Sequence, residues 1–280
     1  MNAKIWGSRG SLASPGRSTK RYGGNTSCIE VHPPGCDVVI LDAGTGIREL
    51  GMRLVEEGCN RMHLLLTHLH VDHVEGLGMF EPIWRQETDL HIWGPASPVA
   101  SLEERIATYF SPPLFPVHLS EVPATITYHD ASESEWTIDG ARFSSNAIIH
   151  PGPTVGYRLE TMGRTLAYLT DHEPALGSDL SKDDPQWISG FSLAQGANLL
   201  VHDCQYSTEE GAARRGWGHS TTEQVARFAE RAEVDRLLLF HHDPMHSDEM
   251  LDEMLEDVVA TWGVDPDRCA IAAEGDILDV

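Results

Sequence analysis

The segment THLHVDHVEG, residues 67–76, places three histidines and one aspartate within six positions. Side chains two residues apart in an extended segment share a face, so His68 and His70 can converge on one ion. Asp72 and His73 are adjacent and point apart unless the chain turns. A turn after a strand would let the first pair bind one ion and the second pair a neighbouring ion. Imidazole and carboxylate ligands suit zinc, manganese or iron.

Short apolar runs that stop at a histidine or an aspartate recur along the chain. MHLLLTH ends at His68, ARFSSNAIIH at His150, TLAYLTD at Asp171, NLLVHD at Asp203 and RLLLFH at His241. Runs of this length that are rich in Leu, Ile and Val predict buried strands. Strands that all deliver ligand-type residues at their carboxyl ends predict one site along one edge of a sheet assembly.

Helical patterns lie between these predicted strands. Residues 47–58 carry an amphipathic pattern, and residues 220–232 begin with Ser220 and Glu223 in capping-box spacing. A strong apolar stripe over 247–262 predicts a further helix that packs on a core. Strands mixed with helices indicate an α/β protein.

The composition narrows the class of protein. A chain of 280 residues can bury a sizeable core as one large or two small domains, and no apolar run approaches membrane-helix length. The N-terminus lacks a signal pattern and the five cysteines are scattered, which predicts a cytoplasmic protein with reduced thiols that does not bind membranes. The net charge of −23 opposes binding to long nucleic acids, so we expect a small anionic substrate held by metal ions.

The order His-x-His-x-Asp-His after an apolar strand resembles the signature of the metallo-β-lactamase superfamily. Nearly the whole chain follows that pattern. The resemblance implies one domain over residues 1–280 with an α/β fold, an αββα sandwich that holds two divalent metals where its strands end. That placement agrees with the strand-end pattern, which was obtained from the residues alone.

The same resemblance implies further roles for individual residues. His150 corresponds to the third ligand of the first metal, Asp171 to a carboxylate that bridges both metals, and His241 to the last ligand of the second metal. His241 is preferred to His242 because it directly follows the strand LLLF. Asp42 in LDAGTG corresponds to an aspartate that orients a ligating imidazole.

Two stretches resemble the phosphodiesterase branch that includes RNase Z. HSTTEQVARFA begins at His219, and HDCQY places Asp203 where that branch has a glutamate. We expect His219, held by Asp203, to stabilise the transition-state anion or to protonate the leaving oxygen. Backbone N–H groups of the helix that follows His219 are expected to favour a phosphate oxygen. Asp72 is predicted to be a catalytic residue as well as a ligand.

Substrate contacts are predicted from weaker patterns. Arg9 and Asn25 lie in a glycine-rich N-terminal segment that resembles the opening of these phosphodiesterases, and Arg9 is expected to reach a substrate phosphate. Phe110 and Phe115 are expected to flank the pocket and to stack on a base or ribose. His242 is expected at the rim of the site, in contact with substrate.

These patterns together predict a dinuclear phosphodiesterase that acts on a small, cyclic nucleotide-like diester through a metal-bridging hydroxide. Zinc is the favoured ion, with manganese or iron as alternatives, and a homodimer is possible. A thioesterase, an iron-dependent oxidoreductase resembling a sulfur dioxygenase, and a non-enzymatic metal-binding scaffold are the alternatives from other classes. RNase activity fits less well because the chain lacks the glycine- and lysine-rich arm that grips tRNA.

Overall fold

A computed structural model describes residues 1–280, and fourteen strands in it form two sheets of seven. Numbered along the chain, the strands are β1 (Asn2–Gly7), β2 (Cys28–His32), β3 (Val38–Leu41), β4 (Arg61–Leu65), β5 (Asp89–Gly94), β6 (Thr125–Asp130), β7 (Glu135–Ile138), β8 (Ala141–Ala147), β9 (Val155–Thr161), β10 (Arg164–Leu169), β11 (Leu199–Asp203), β12 (Arg236–Phe240), β13 (Cys269–Ile271) and β14 (Ile277–Asp279).

The helices connect these strands or cover the sheets. They are α1 (Ile47–Glu56), α2 (Val71–Val74), α3 (Leu102–Tyr109), α4 (Phe191–Ala194), α5 (Thr208–Arg214), α6 (Thr222–Arg231) and α7 (Asp248–Trp262). No helix combines the length and the apolar character that crossing a lipid bilayer requires.

The two sheets have similar layouts. The first runs β14-β1-β2-β3-β4-β5-β6 and the second β13-β12-β11-β10-β9-β8-β7. In the first sheet β3 to β6 are parallel and the rest antiparallel. In the second, β10 to β13 are parallel and β7 to β10 antiparallel. The first and last strands of the chain, β1 and β14, are hydrogen-bonded neighbours.

Three apolar layers hold the four structural layers together. The sheets face each other across a core that includes Leu41, Leu65 and Phe240. Helices α1 and α3 cover the outer face of the first sheet, and α4, α6 and α7 cover the outer face of the second. Each buried Leu or Phe contributes roughly 1.5–3 kcal/mol on removal from water. The prediction of an αββα sandwich is confirmed.

The five strands predicted before ligand-type residues are β4, β8, β10, β11 and β12. The helix predicted from residue 220 begins later, with Thr221 as its N-cap and Gln224 completing the capping box. Ser220 cannot cap because its hydroxyl donates to the carbonyl of His172 at 2.7 Å and its N–H donates to Asp203 at 2.9 Å. The residue with the expected capping spacing is therefore committed to the site.

Candidate metal centre

The backbone after β4 explains how one short motif supplies two groups of ligands. The chain stays extended through His70, which has φ −66° and ψ 155°, and then turns into α2 at Val71. His68 and His70 therefore lie before the turn, while Asp72 and His73 lie within it. The turn that the HLHVDH spacing required is present.

The first group of ligand atoms comes from His68, His70, His150 and Asp171, and these atoms all lie within 4.8 Å of one another. His70 Nδ1 and His150 Nε2 are 3.1 Å apart. Asp171 Oδ1 lies 3.7 Å from His68 Nε2 and 3.6 Å from His150 Nε2. Four ligands at these distances can surround one cation.

The second group comes from Asp72, His73 and His241. The Nε2 atoms of the two histidines are 3.4 Å apart, and Asp72 Oδ2 is 3.2 Å from each. Asp171 Oδ2 lies 3.0 Å from His73 Nε2 and 3.1 Å from His241 Nε2. Asp171 thus directs one carboxylate oxygen towards each group, and the structure brings all seven predicted ligands together.

The charges of the site fit two divalent cations. The carboxylates of Asp42, Asp72, Asp171 and Asp203 are buried, and their ion-pair partners are all histidines. With neutral imidazoles the four carboxylates carry a formal charge of −4, which two divalent ions balance. Buried charges are stable only when compensated, so this donor set calls for cations.

The pKa values of His73 and Asp171 reflect the charges that surround them. Burial alone would lower the pKa of His73, but the carboxylates of Asp171, Asp72 and Asp42 raise it well above the ordinary value. Burial opposes ionisation of Asp171, yet His241, His73 and His68 hold its pKa well below the usual range. The Nε2 atom of His68 is buried and lacks a hydrogen-bond partner, which suits a metal-ligand atom.

The backbone is strained where these residues sit. Asp42, Asp171 and His241 have φ of 60°, 53° and 59°. Non-glycine residues in this region cost of order 1–3 kcal/mol each and persist only where the surroundings enforce them. A Cβ on Gly10 would lie 2.4 Å from the His241 ring, so only glycine lets the N-terminal loop pass that ligand.

Asp42 lies directly behind the second group. Its Oδ2 accepts hydrogen bonds from His73 Nδ1 at 2.9 Å and from the Tyr168 hydroxyl at 2.8 Å. Its Oδ1 accepts from the N–H of Thr67 at 2.8 Å. The geometry matches the expected orienting role, because a His73 imidazole that donates from Nδ1 presents Nε2 to a metal. Sequence reasoning missed Tyr168, since a tyrosine inside a buried strand carries no functional signal.

His219 and Asp203 form the predicted pair. His219 Nδ1 donates to Asp203 Oδ2 at 2.7 Å, and Asp203 Oδ1 accepts from the N–H of Ser220 at 2.9 Å. Burial lowers the pKa of His219, but the charge and hydrogen bond of Asp203 outweigh it and raise the pKa to about 9. The His219 ring stacks on that of His241 at 5.1 Å and lies 5.1 Å from that of His150, so the pair adjoins both groups of ligands.

The predicted phosphate site at the start of α6 is not available. Its first N–H groups are already engaged: Thr222 donates to the Tyr206 carbonyl, Glu223 to Thr208 Oγ1 and Gln224 to Thr221 Oγ1. Because the capping box and the preceding segment satisfy these donors, this prediction is wrong.

Two predicted substrate contacts in the N-terminal segment are structural instead. The Arg9 side chain is fully buried, and its guanidinium donates to the carbonyls of Gly23, Asp243 and His246. The side chain of Asn25 donates to Glu274 and accepts from Thr45. Arg9 cannot reach a phosphate and the Asn25 amide is committed at both ends, so both predictions are wrong.

The other three predicted substrate contacts lie in the interior. Phe110 and Phe115 pack against each other at 4.2 Å and against Trp84 in the core under the first sheet. His242 is buried, its Nε2 donates to the Ala272 carbonyl at 3.2 Å, and burial lowers its pKa to about 3. None of these side chains faces a ligand, which contradicts the predicted stacking and rim contacts.

Two contacts to the ligands were not foreseen. The N–H of Ser11 donates to Asp72 Oδ2 at 2.7 Å, which fixes the carboxylate from the N-terminal loop. His150 Nδ1 donates to the Gly218 carbonyl at 2.9 Å, so the loop before His219 orients a ligand. Contacts made by backbone groups cannot be read from the types of the side chains. The only available signal was the position of Gly218 directly before the His219 motif.

The αββα sandwich carries two adjoining groups of histidine and aspartate ligand atoms at its strand ends, which together form a candidate metal centre. A profile described as "Beta-lactamase superfamily domain" matches residues 37–242, and the chain belongs to that superfamily. It is a metallo-hydrolase of that fold, and the family implies divalent metal ions at these residues.

Individual proteins similar to this chain include one sequence relative and two solved structures that share the fold. Ribonuclease Z of Haloarcula marismortui is 27% identical over 266 residues, which cover 82% of this chain and 85% of that protein. The crystal structure of Zn²⁺-bound PqqB from Methylobacterium extorquens has a TM-score of 0.70 at 19% identity and covers 100% of both chains. A diphosphatase from the PhnP family has a TM-score of 0.68 at 18% identity and covers 100% of this chain and 97% of that one.

Proposed function

We propose that this protein is a two-metal phosphodiesterase that cleaves small, cyclic nucleotide-like diesters, with zinc as the preferred ion. The observation that carries the proposal is the His219–Asp203 pair beside the two groups of ligands. The similarity to ribonuclease Z supports phosphodiester chemistry, and the net charge of −23 favours a small substrate over a polyanion.

Two divalent ions at these ligands would activate a water molecule and neutralise charge on the phosphoryl oxygens. The remaining work belongs to the side chains of this protein. Asp42 holds His73 with Nε2 turned towards the centre, and the N–H of Ser11 holds Asp72. Asp203 accepts a hydrogen bond from Nδ1–H of His219, which leaves Nε2–H of the protonated ring to donate a proton to the leaving oxygen.

A substitution at His219 tests this role. For His219→Ala we expect hydrolysis of a cyclic nucleotide, whose leaving oxygen is an alkoxide that needs a proton, to fall by about 10²–10⁴-fold, the usual contribution of a general acid, with both ions retained. Metal content by mass spectrometry and kinetics on the same preparation provide the two readouts. His118→Ala is the control, because His118 is exposed and distant from His219 in the sequence. It should change neither the metal content nor the activity.

Two other outcomes would contradict the role proposed for His219 or the proposed reaction. The atoms of Asp171, His219 and His241 also meet the distances of a ligand group. If His219→Ala loses an ion together with activity, His219 is a ligand and the proposed proton donor is incorrect. If thioesters are hydrolysed and diesters are not, the proposal of a phosphodiesterase fails as a whole.

A second candidate function is ribonuclease activity, which the 27% identity to ribonuclease Z over most of both chains favours. Parallel assays on 2′,3′- and 3′,5′-cyclic nucleotides and on a precursor tRNA separate the two candidates. Cleavage of the tRNA at a much higher kcat/KM than any cyclic nucleotide would favour the ribonuclease.

A further inference from the structure

The segment Arg214–Gly218, RRGWG, connects α5 to His219 and differs in charge from the rest of the protein. It contains two adjacent arginines in a chain with 20 basic and 43 acidic residues. It also displays Trp217, whose side chain is 61% exposed. Burial of a tryptophan side chain in the core would stabilise the fold, and Trp217 does not make that contribution. Its exposure therefore suggests that another molecule covers it.

This loop is rigidly tied to the metal centre. Glu173 is buried, and its carboxylate accepts hydrogen bonds from the N–H groups of Gly216 and Gly218 at 2.9–3.0 Å. The Gly218 carbonyl in turn accepts from Nδ1 of the ligand His150. Gly218 has φ +89°, and a Cβ there would lie 2.2 Å from His150 Nδ1. Trp217 is thus held between two anchored glycines, one residue from a contact to a metal ligand.

Other exposed apolar side chains adjoin the same centre. Val71 is 54% exposed and lies between the ligands His70 and Asp72. Leu12 is 59% exposed and follows Ser11, whose N–H contacts Asp72. Val71 and Leu12 therefore offer apolar surface to solvent beside residues of the metal centre, in addition to Trp217. An apolar rim around a charged centre suits a substrate with an organic part attached to a phosphate.

The arginines face an open cleft of about 540 Å³ that His219 also lines. Arg214 lies 4.6 Å from the ring centroid of Tyr206 and is paired with Glu210. Arg215 is exposed and forms neither an ion pair nor a side-chain hydrogen bond. An unpaired arginine beside the centre is available for an anion.

The acidic groups of the cleft do not cancel that arginine completely. Glu173 is committed to the loop N–H groups, and Asp179 is paired with Lys182 at 2.7 Å. Arg227 at the far side is paired with Glu230, and Glu223 is the remaining acid. The cleft beside His219 thus contains one unpaired guanidinium, and the exposed indole of Trp217 belongs to the same loop, two residues before His219 in the chain.

We infer that the Arg214–Gly218 loop recognises the nucleoside part of a nucleotide diester, with Trp217 stacking on the base and Arg215 attracting the phosphate. This inference rests on the proposed phosphodiesterase function and specifies its substrate class. Base–aromatic stacking tolerates different bases because each presents a π face, so Trp217 provides affinity for nucleotides without selecting one base. It also supplies the aromatic contact that Phe110 and Phe115, buried in the core, do not.

Two diesters with the same leaving group test the inference. Thymidine 5′-(p-nitrophenyl phosphate) carries a nucleoside and methyl p-nitrophenyl phosphate does not. For Trp217→Ala in the metal-loaded protein we expect kcat/KM to fall about tenfold on the first substrate, mainly through KM, as expected for one lost stack. The second substrate should be unaffected, and Trp217→Phe should recover most of the loss.

Trp187→Ala is the matched control, because Trp187 is 74% exposed on another segment. It should leave both substrates unchanged. An equal loss on both substrates for Trp217→Ala would show that the loop only positions His150, and no loss on either would show that the indole is not used; both results overturn the inference. A loss on both that accompanies conversion of a dimer to a monomer would assign Trp217 to a contact between copies, which also overturns it.

A binding measurement separates this inference from the proposed function. If the wild-type protein hydrolyses neither diester, the proposed function fails, and quenching of tryptophan fluorescence by thymidine 5′-monophosphate still tests the stack. We expect quenching in wild type and in Trp187→Phe, and its loss in both Trp217→Phe and Trp217→Ala, because either substitution removes the indole that reports the stack. Quenching that is unchanged in Trp217→Ala would overturn the inference.

Discussion

The protein has two histidine clusters that share strand β4, and only one of them brings ligand atoms together as a metal centre does. The metal centre follows the carboxyl end of β4. The second cluster lies within β4 to β6, where the His63 and His91 rings stack at 4.8 Å and His91 Nδ1 is 2.9 Å from His129 Nε2. Trp93 stacks on His129 at 3.9 Å and donates from Nε1 to His63 Nδ1 at 3.3 Å.

The carboxylates make the difference between the clusters. In the metal centre Asp171 sends an oxygen into each group of imidazoles. In the second cluster Asp37 and Asp89 lie outside the stacked rings and are bridged by Arg61, whose Nε is 3.3 Å and 3.6 Å from them. The guanidinium already supplies the cation there. A count of histidines is therefore a weak indicator of metal, and convergent carboxylates without a basic side chain are a strong one.

The largest effect is expected from removing the charge of Asp171, the carboxylate that both groups of ligands share. For Asp171→Asn we expect loss of at least one of the two ions and a fall in hydrolysis of more than about 100-fold, beyond the 10–100-fold typical of a residue that only supports a ligand. The reason is that both groups lose an anionic oxygen at once. Metal content and kcat on the same sample measure it.

The matched variant lies in the second cluster. His91→Gln should retain two ions and full activity, because Asp89 Oδ2 lies 3.5 Å from His91 Nε2 but the cluster does not bring three ligand atoms together. Loss of an ion from His91→Gln with activity intact would mean that the second cluster binds metal too, and the distinction drawn from the carboxylates would then be wrong.

A smaller effect on metal binding is expected from Asp42, which holds the ligand His73 in place. Asp42→Asn keeps the shape of the side chain but removes the charge that accepts from His73 Nδ1 and Tyr168. We expect affinity for one of the two ions to fall about 10–100-fold, while the other ion binds as before. Competition with a chromogenic chelator gives both constants. An equal weakening of both sites would show a global loss of structure, which circular dichroism of Asp42→Asn would detect.

The part of the site that the sequence could predict is the part encoded by spacing. HLHVDH requires a turn between its two pairs, and each of the other ligands directly follows an apolar run, so backbone geometry and residue type point to the same place. Asp42 and Asp203 also follow or end strands, but their roles were predicted from the resemblance to the superfamily and its phosphodiesterase branch. Local pattern is sufficient where the fold delivers strand ends to one edge.

The wrong predictions concern residues whose environment depends on distant segments. Arg9 has the chemistry of a phosphate ligand, but carbonyls from the segment after β12 close over it. Phe110 in YFSPPLFP has the chemistry to stack on a base, yet it packs under the first sheet. The role of Glu173 was invisible for the same reason, since its partners are the backbone N–H groups of a loop more than forty residues away.

The smallest expected effect is a difference in pH dependence that belongs to the second cluster. Burial lowers the pKa of His63 to about 4, below the ordinary value of about 6.5. Between these values the unfolded chain binds a proton that the folded protein does not, so stability is full above pH 6.5 and falls as the pH decreases towards 4. From pH 7 to pH 5, His63 should account for about 1–2 kcal/mol of lost unfolding free energy.

His63→Gln isolates that contribution, because glutamine can still accept from Trp93 but does not titrate. Urea unfolding at pH 7 and pH 5, with saturating metal, gives the change in unfolding free energy between the two pH values. This change is then compared between wild type and His63→Gln. We expect the wild-type protein to lose more stability than the variant over this interval. If the two lose the same amount, His63 is protonated in the folded protein, and the second cluster would then carry a buried positive charge that the contacts with Asp37 and Asp89 must stabilise.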